Sequence, residues 1–487
     1  MKRQIKSLVI ILLFVPNIAI SQNTFIKWIS SPKDEIPWDI YKLNSNNQYL
    51  LSIVQGTVSS NPGYYDIFFN YNKIIHITDY EFNFLDSLFL DNIEGYLITP
   101  GKVIITDVDE ILLWGTALDT NTYDEQLYLQ WLDYDLNILK DSLYGLPDRN
   151  DAMAGFTVTY NNNIVFFRSY PISKQEKYDS VKYVLWEFDI QGNEINYNTD
   201  TIHSAIFIGI SDMTGIDKYQ VTSVNKIIYF NYNLEYDTAV SWQVEKFTGY
   251  RTKKINDSEY FIIGSIDNMM PPYINENFDM AFLVIDENAN IQTINSYGVL
   301  DTNDREGDID FINIDTLFFG GTKNYTCGAA DTWFTLYKTN YDGDIFFTRY
   351  YGGHGKYSLH RVITTDDGGC VMVGTYWDFY NYPNPKQHDI VIMKVDENGL
   401  ISNLDEHIPF EVTDIIVYPN PGNDFIKINT ALQNLVFTLF DIKGDQIMEK
   451  EFDKSASINT QHLQVGIYLY KIQQFGKEVK SGKWIKQ

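Results

Sequence analysis

The stretch LFFGGTKNYTCGAADTWFTLYKTNYDGDIFFTRYYGG, residues 317–353, decides the fold. An apolar run ends in Gly-Gly and a variable loop follows. A second apolar run then enters the short polar turn NYDGD, and a third run closes the segment. Runs of Phe, Tyr, Leu and Thr suit a pleated, half-buried surface. The Asn, Asp and Gly between them tolerate the positive backbone angles of tight hairpins.

Outward from this segment the polar turn recurs. It reads DYEFN at Asp79, DYDLN at Asp133, DIQGN at Asp189, NYNLE at Asn231, DENAN at Asp286, NYDGD at Asn340 and DENGL at Asp396. The separations, by subtraction, are 54, 56, 42, 55, 54 and 56 residues, so only one interval departs, by about one loop. An apolar strand ending in Gly runs in step as YLLSIVQG, ILLWG, YFIIG, LFFGG and CVMVG. The third and fourth copies, IVFFR and YQVTSV, lack the Gly. Each unit therefore reads as strand, tight turn, strand, long variable loop, strand, tight turn, strand, and no stretch sustains helical periodicity. Seven such antiparallel units predict an all-β, seven-bladed β-propeller, with a β-sandwich array as the alternative. The segment from Phe25, FIKWISSPKDEIPWDIYKLNSNNQYLL, shares its layout with FFTRYYGGHGKYSLHRVITTDDGGCVM from Phe346. The last unit ends weakly at LISN, so residues 25–30 are expected to supply its outer strand and close the ring.

The two ends carry a different message. Lys2, Arg3 and Lys6 precede the apolar run SLVIILLFVPNIAI, which is too short to span a bilayer and ends in small residues, Ala19 and Ser21. This is the pattern of a signal peptide over residues 1–21, with Gln22 as the new N-terminus. Its removal takes away three positive charges, from a net −27 to −30. A chain this acidic repels nucleic acid and anionic lipid, and no later segment reads as transmembrane.

Near the other end, VYPNPGNDFIKIN begins at Val417 and continues through FTLFDIKGDQIMEKEF to GIYLYKIQQFGKEVKSGKWIKQ. Alternating strands with the turns DIKGD and QQFGK describe a small Ig-like β-sandwich. The segment resembles the type IX secretion C-terminal sorting domain of Bacteroidota. Tyr418, Pro419, Asn420 and Pro421 carry the match, followed by Leu439, Phe440, Asp441 and Gly444, then Leu463, Gly466, Tyr468 and the basic ending Lys483 to Lys486. The resemblance implies export, recognition by the type IX machinery and removal of the tail, leaving the protein secreted or attached to the outer-membrane surface. The repeat also resembles that of secreted bacterial propellers, through YYGG at Tyr350 and DDGG at Asp366, which implies a fold and no particular activity. The expected organisation is signal peptide 1–21, propeller 22–402, linker 403–412 and sorting domain 413–487.

Function is less legible. In a propeller the variable loops gather on one face, where a ligand is expected. The loop TYWDFYNYPNPKQHD supplies Tyr376, Trp377, Phe379, Tyr380 and Tyr382 as candidates for stacking on a glycan or a cell-surface protein. Self-packing of the loop is the alternative. In the connector DTNDREGDID, Asp304, Glu306, Asp308 and Asp310 offer hard oxygen ligands suited to calcium. Their spacing departs from an EF-hand loop, and a solvated charged turn is the simpler reading. Arg149, Arg305 and Arg361 are arginines that a carboxylate-binding face would use. No G-x-S-x-G, H-E-x-x-H, P-loop or dinucleotide fingerprint occurs, so the sequence leans away from catalysis. A polysaccharide-degrading hydrolase or lyase on the same fold is the alternative. Cys327 and Cys370 fall at opposite ends of their strands and are expected as free thiols.

Overall fold

The computed structural model describes residues 24–401 and 416–487, except 32, 44–47, 57–70, 91, 106–109, 146–152, 172–179, 204–206, 214–215, 224–225, 242–243, 245–246, 268–276, 299–301, 327, 384–386, 419–421, 430–433, 454 and 475–476. The expected signal peptide, the expected linker and Cys327 lie outside the described residues.

Among the described residues, seven four-stranded antiparallel sheets precede the C-terminal region. In chain order they cover residues 34–89 (sheet 1), 96–144 (sheet 2), 155–202 (sheet 3), 207–241 (sheet 4), 247–297 (sheet 5), 305–352 (sheet 6) and 356–395 (sheet 7). The two middle strands of each sheet are apolar on both faces because both faces are buried, while the outer strands are largely exposed. Successive side chains point opposite ways, so Leu112 packs toward sheet 3 and Leu113 toward sheet 1. Phe318 and Phe319 divide in the same manner between sheets 7 and 5. Such shared cores join sheet 1 to 2, 2 to 3, 3 to 4, 4 to 5, 5 to 6 and 6 to 7. A further core, with Val371 and Ile392 against Leu51 and Ile53, joins sheet 7 back to sheet 1. The ring is closed, and the architecture is a β-propeller.

Closure has a second component. Phe25–Ile29 pairs antiparallel with Asp389–Val395, from Phe25↔Lys394 to Ile29↔Ile390. The N-terminal strand thus becomes the outer strand of sheet 7. Trp28 seats its ring 5.1 Å from Tyr376, edge to face. The short interval in the repeat also has a cause. In sheet 4 the strands Lys218–Ser223 and Lys226–Asn231 are joined by residues 224–225 alone, where sheet 1 spends 57–70.

The recurring polar turn is a side-chain device. The Oδ1 of Asp133 accepts from the backbone N of Asp135 and Asn137, while Asn137 Nδ2 donates to Oδ2 at 2.9 Å. Asp79 and Asp286 do the same with Asn83 and Asn290. In NYNLE and NYDGD the carboxylate and amide exchange places, so that Asn231 donates to Glu235 and Asn340 to Asp344. The fourth residue of each turn has a left-handed backbone, with φ of 58° at Phe82, 57° at Leu136, 62° at Leu234 and 86° at Gly343. Where that residue is not Gly, its side chain plugs a shared core: Phe82 between sheets 7 and 1, Leu136 between 1 and 2.

The C-terminal region is a separate sandwich. Its three-stranded sheet is Ile416–Tyr418, Phe425–Asn429 and Ser455–Asn459. The four-stranded sheet runs Gln446–Phe452, Leu435–Phe440, Gly466–Gln474 and Lys477–Lys486. Ile426, Ile428, Phe437, Leu439, Ile472 and Trp484 fill the space between them.

Candidate functional site

The first strand of each of the seven sheets lines a central channel, with a cavity of about 520 Å³. Six of these strands carry a β-bulge. The extra residue falls between Pro37 and Asp39, Pro100 and Val103, Phe207 and Gly209, Gly249 and Arg251, Glu306 and Asp308, and Leu359 and Arg361. A bulge sets two residues against one and re-aims the side chain that follows. In consequence Asp39, Lys102, Arg251, Asp308 and Arg361 all reach the channel.

In sheets 2, 5, 6 and 7 the bulge also accounts for the Gly on the second strand. Gly264 and Gly374 stand opposite the bulges of Gly249/Arg251 and Leu359/Arg361. A Cβ on Gly264 would lie 2.0 Å from Thr248 O, and one on Gly374 would lie 2.2 Å from Ser358 O. Only a residue without a side chain lets the bulged backbone pass so closely.

Within the channel the charges interlock. Arg361 grips Asp39 with two hydrogen bonds, Nε to Oδ1 at 2.7 Å and Nη2 to Oδ2 at 3.1 Å, and Tyr41 Oη donates to the same carboxylate at 2.8 Å. Burial works against the Asp39 charge, but the Arg361 guanidinium prevails and holds its carboxyl below the usual range. Asp310 pairs with Lys253 and accepts from Thr364 N at 2.6 Å and Oγ1 at 2.9 Å. Asp308 is less well served, with Val362 N at 3.3 Å and Arg251 at 3.9 Å. Burial pushes its carboxyl up to about 7. Lys102, held down by the same burial, completes the group.

The four candidate ligands of the 301–310 connector, Asp304, Glu306, Asp308 and Asp310, are thus divided. Asp304 is buried at the loop end, where its Oδ1 accepts from Asn324 N at 3.0 Å. Glu306 pairs in backbone register with Gly321, and the bulge at Gly307 then sends Asp308 and Asp310 into the channel. Among the described residues, no three His, Cys, Asp or Glu side chains come together to hold a metal ion. Of the three arginines, Arg361 enters the channel, Arg305 donates to Tyr325 Oη at 2.7 Å, and Arg149 lies outside the described residues.

On the loop face the aromatic candidates separate into two groups. Tyr376 and Trp377 end a strand and are 7% and 3% exposed, so they belong to the core of sheet 7. Trp377 Nε1 donates to Tyr382 O at 2.8 Å, which folds the loop over its ring, and Phe379 packs beside it. Tyr380 and Tyr382 are 52% and 61% exposed. Tyr380 stacks on His354 at 4.7 Å, nearly parallel, and its hydroxyl donates to Asp331 Oδ2 at 2.7 Å. An exposed, immobilised aromatic edge results. Cys370 is a buried free thiol whose pKa burial pushes up.

In the C-terminal sandwich, Tyr418 pairs with Lys427, while Pro419, Asn420 and Pro421 lie outside the described residues. Gly444 takes the left-handed position of another Asp-centred turn, with φ 89°. Gly466 opens its strand, and Tyr468 Oη donates to Gln464 O at 2.8 Å. Lys483 is exposed, whereas Lys486 is buried with Nζ on Asn423 O. Gly422 and the chain end are stitched together by Gly422 N to Ile485 O at 2.9 Å and Gln487 N to Gly422 O at 3.0 Å.

Fold and site together define a β-propeller joined to a small terminal sandwich, and residues 416–487 match the family described as the secretion system C-terminal sorting domain. That tail implies export and a secreted or cell-surface location through the type IX machinery. Among the described residues, no helix is long and apolar enough to cross a membrane. Among curated protein sequences none matches the chain. One similar solved structure is the β-propeller domain of the Trilobed protease from Pyrococcus furiosus, at 9% identity and TM-score 0.41, covering 77% of this chain and all (100%) of that one. An acylaminoacyl peptidase from Pyrococcus horikoshii is similar at 12% identity and TM-score 0.41 over 82% of this chain and 59% of its own. A protein of unknown function from Bacteroides caccae is similar at 11% identity and TM-score 0.35, over 66% of this chain and 94% of its own. These likenesses are too distant to carry an argument about activity.

Proposed function

We propose that this is an exported seven-bladed propeller, residues 22–402, delivered by a sorting domain at 413–487 and acting as a non-catalytic binding platform. Its partner is a glycan or a cell-surface protein met on the loop face. The observation that carries the binding reading is the state of the carboxylates. Among the described channel carboxylates, Asp39 and Asp310 are each taken up by a cation and by further hydrogen bonds, which leaves Asp308 no free carboxylate to work with as the other half of an acid–base pair. The exposed edge of Tyr380, stacked on His354, offers the flat apolar surface on which a sugar ring or a partner side chain stacks.

A polysaccharide and glycan array on the purified chain, scored for retention and for released product, tests this. Retention without product, lost on Tyr380→Ala, supports the platform. Product release places the protein with the polysaccharide-degrading hydrolases or lyases instead.

A further inference from the structure

The channel holds four cations, Lys102, Arg251, Lys253 and Arg361, against three carboxylates, Asp39, Asp308 and Asp310. The surplus runs against the composition of a chain whose net charge is −27. Lys42 and Lys254 also line the cavity, but they are paired with Asp366 and Asp257. Lys253 and Arg361 are engaged by Asp310 and Asp39. Among the described residues, Lys102 forms no ion pair within 4 Å and no hydrogen bond, being offset only from farther away by Asp39 and Asp308, and Arg251 has Asp308 at 3.9 Å and donates to His360 O at 3.2 Å. Arg251 keeps 41% of its side chain exposed, so the cavity is reached by solvent. A half-buried ammonium beside a guanidinium is unfavourable unless something supplies the opposite charge.

The other wall has a different character. Sheets 3 and 4 contribute Ala154, Gly155, Phe156, Phe167, Gly209 and Ile210, with no ionisable group among them. A cavity of about 520 Å³ with cations on one side and an apolar wall on the other fits a small amphipathic anion.

We propose that the channel is a second binding site, for a small organic carboxylate whose charged group is held by Lys102 and Arg251 and whose body lies against the wall formed by sheets 3 and 4. The site is independent of the loop face. The carboxylate has two sources, a free organic acid or an acidic sugar, and the probes separate them.

Isothermal titration of the full chain at low salt with 3-phenylpropionate and with galacturonate tests the proposal, with 3-phenylpropionamide and galactose as neutral counterparts. At least one carboxylate binds with one site per chain. Lys102→Met weakens it about tenfold or more, the loss of one charge-assisted contact. Lys102→Arg restores part of the affinity, and Tyr380→Ala leaves it unchanged. Folding of Lys102→Met is monitored by Tm, which rises because a cation disfavoured by burial has gone. The proposal is overturned if neither carboxylate binds, if a neutral counterpart binds equally, or if Lys102→Met binds as the parent does.

Discussion

Leu136 combines two properties that usually exclude one another, a left-handed backbone at φ 57° and a side chain only 5% exposed. The backbone of a non-Gly residue there is strained by about 1 kcal/mol, and burial of the leucine offsets it. This inverts the usual order of substitutions. Leu136→Ala loses the buried side chain and keeps the strain, whereas Leu136→Gly loses the side chain and relieves it. The expected result in urea unfolding is that Leu136→Gly is the more stable of the two by about 1 kcal/mol. The channel makes a second prediction at this scale. The folded-state pKa of Asp308 is raised from 3.8 to about 7, so its contribution is fully present below pH 3.8 and lost as pH rises through about 7. The pKa values of Asp39 and Asp367 are lowered, so their contributions act the opposite way, present above pH 3.8 and lost as pH falls. The groups facing Asp308 are Asp39, Lys102, Arg251, Lys253, Asp310 and Arg361, and they belong to five of the seven first strands. His76 and His360, whose pKa values burial lowers to about 4, titrate the opposite way in this range, so the test is the difference: from pH 5 to pH 8 the Tm of the parent should fall relative to that of Asp308→Asn. Equal slopes would refute the assignment.

At the scale of the element, the repeat was legible because its turn is chemical as well as polar. One carboxylate and one amide five residues apart inclusive, Asp133 with Asn137 or Asn340 with Asp344, write the turn into the sequence. The outer strand from Phe25 was legible for a similar reason, its layout matching the segment from Phe346. The channel was not. Alternation assigns Asp304, Glu306, Asp308 and Asp310 to one side of one strand, but the extra residue at Gly307 breaks the period and separates them. The second-strand Gly was the available signal in sheets 2, 5, 6 and 7, where it stands opposite the bulge. Gly264→Ala and Gly374→Ala each force a Cβ onto a backbone carbonyl and should destabilise by about 2–3 kcal/mol. Urea denaturation of both variants checks this, and a change near zero would show that the bulge can relax.

For the whole molecule, closure and address answer different needs. The core joining sheets 7 and 1, with Phe25–Ile29 paired to Asp389–Val395, covers an edge that would otherwise be open to another chain. The rigid ring then presents a loop face and a charged channel, neither of which involves the terminal sandwich in its chemistry. That sandwich was the most legible part of the sequence, because its Pro-Asn-Pro entry, its Asp-centred turn and its Gly-Ile-Tyr strand occur in a fixed order. Ligand identity was illegible because it depends on which side chains the bulges turn inward and which aromatics the loop leaves exposed. On the proposed function, delivery depends on the tail acting as an address for the propeller. The most direct test of that claim is fractionation of type IX-competent cells expressing either the full chain or a chain ending at residue 412. The full chain should reach the surface or the medium, shortened by its tail, and the truncated chain should stop in the periplasm. Equal delivery of both would contradict the claim.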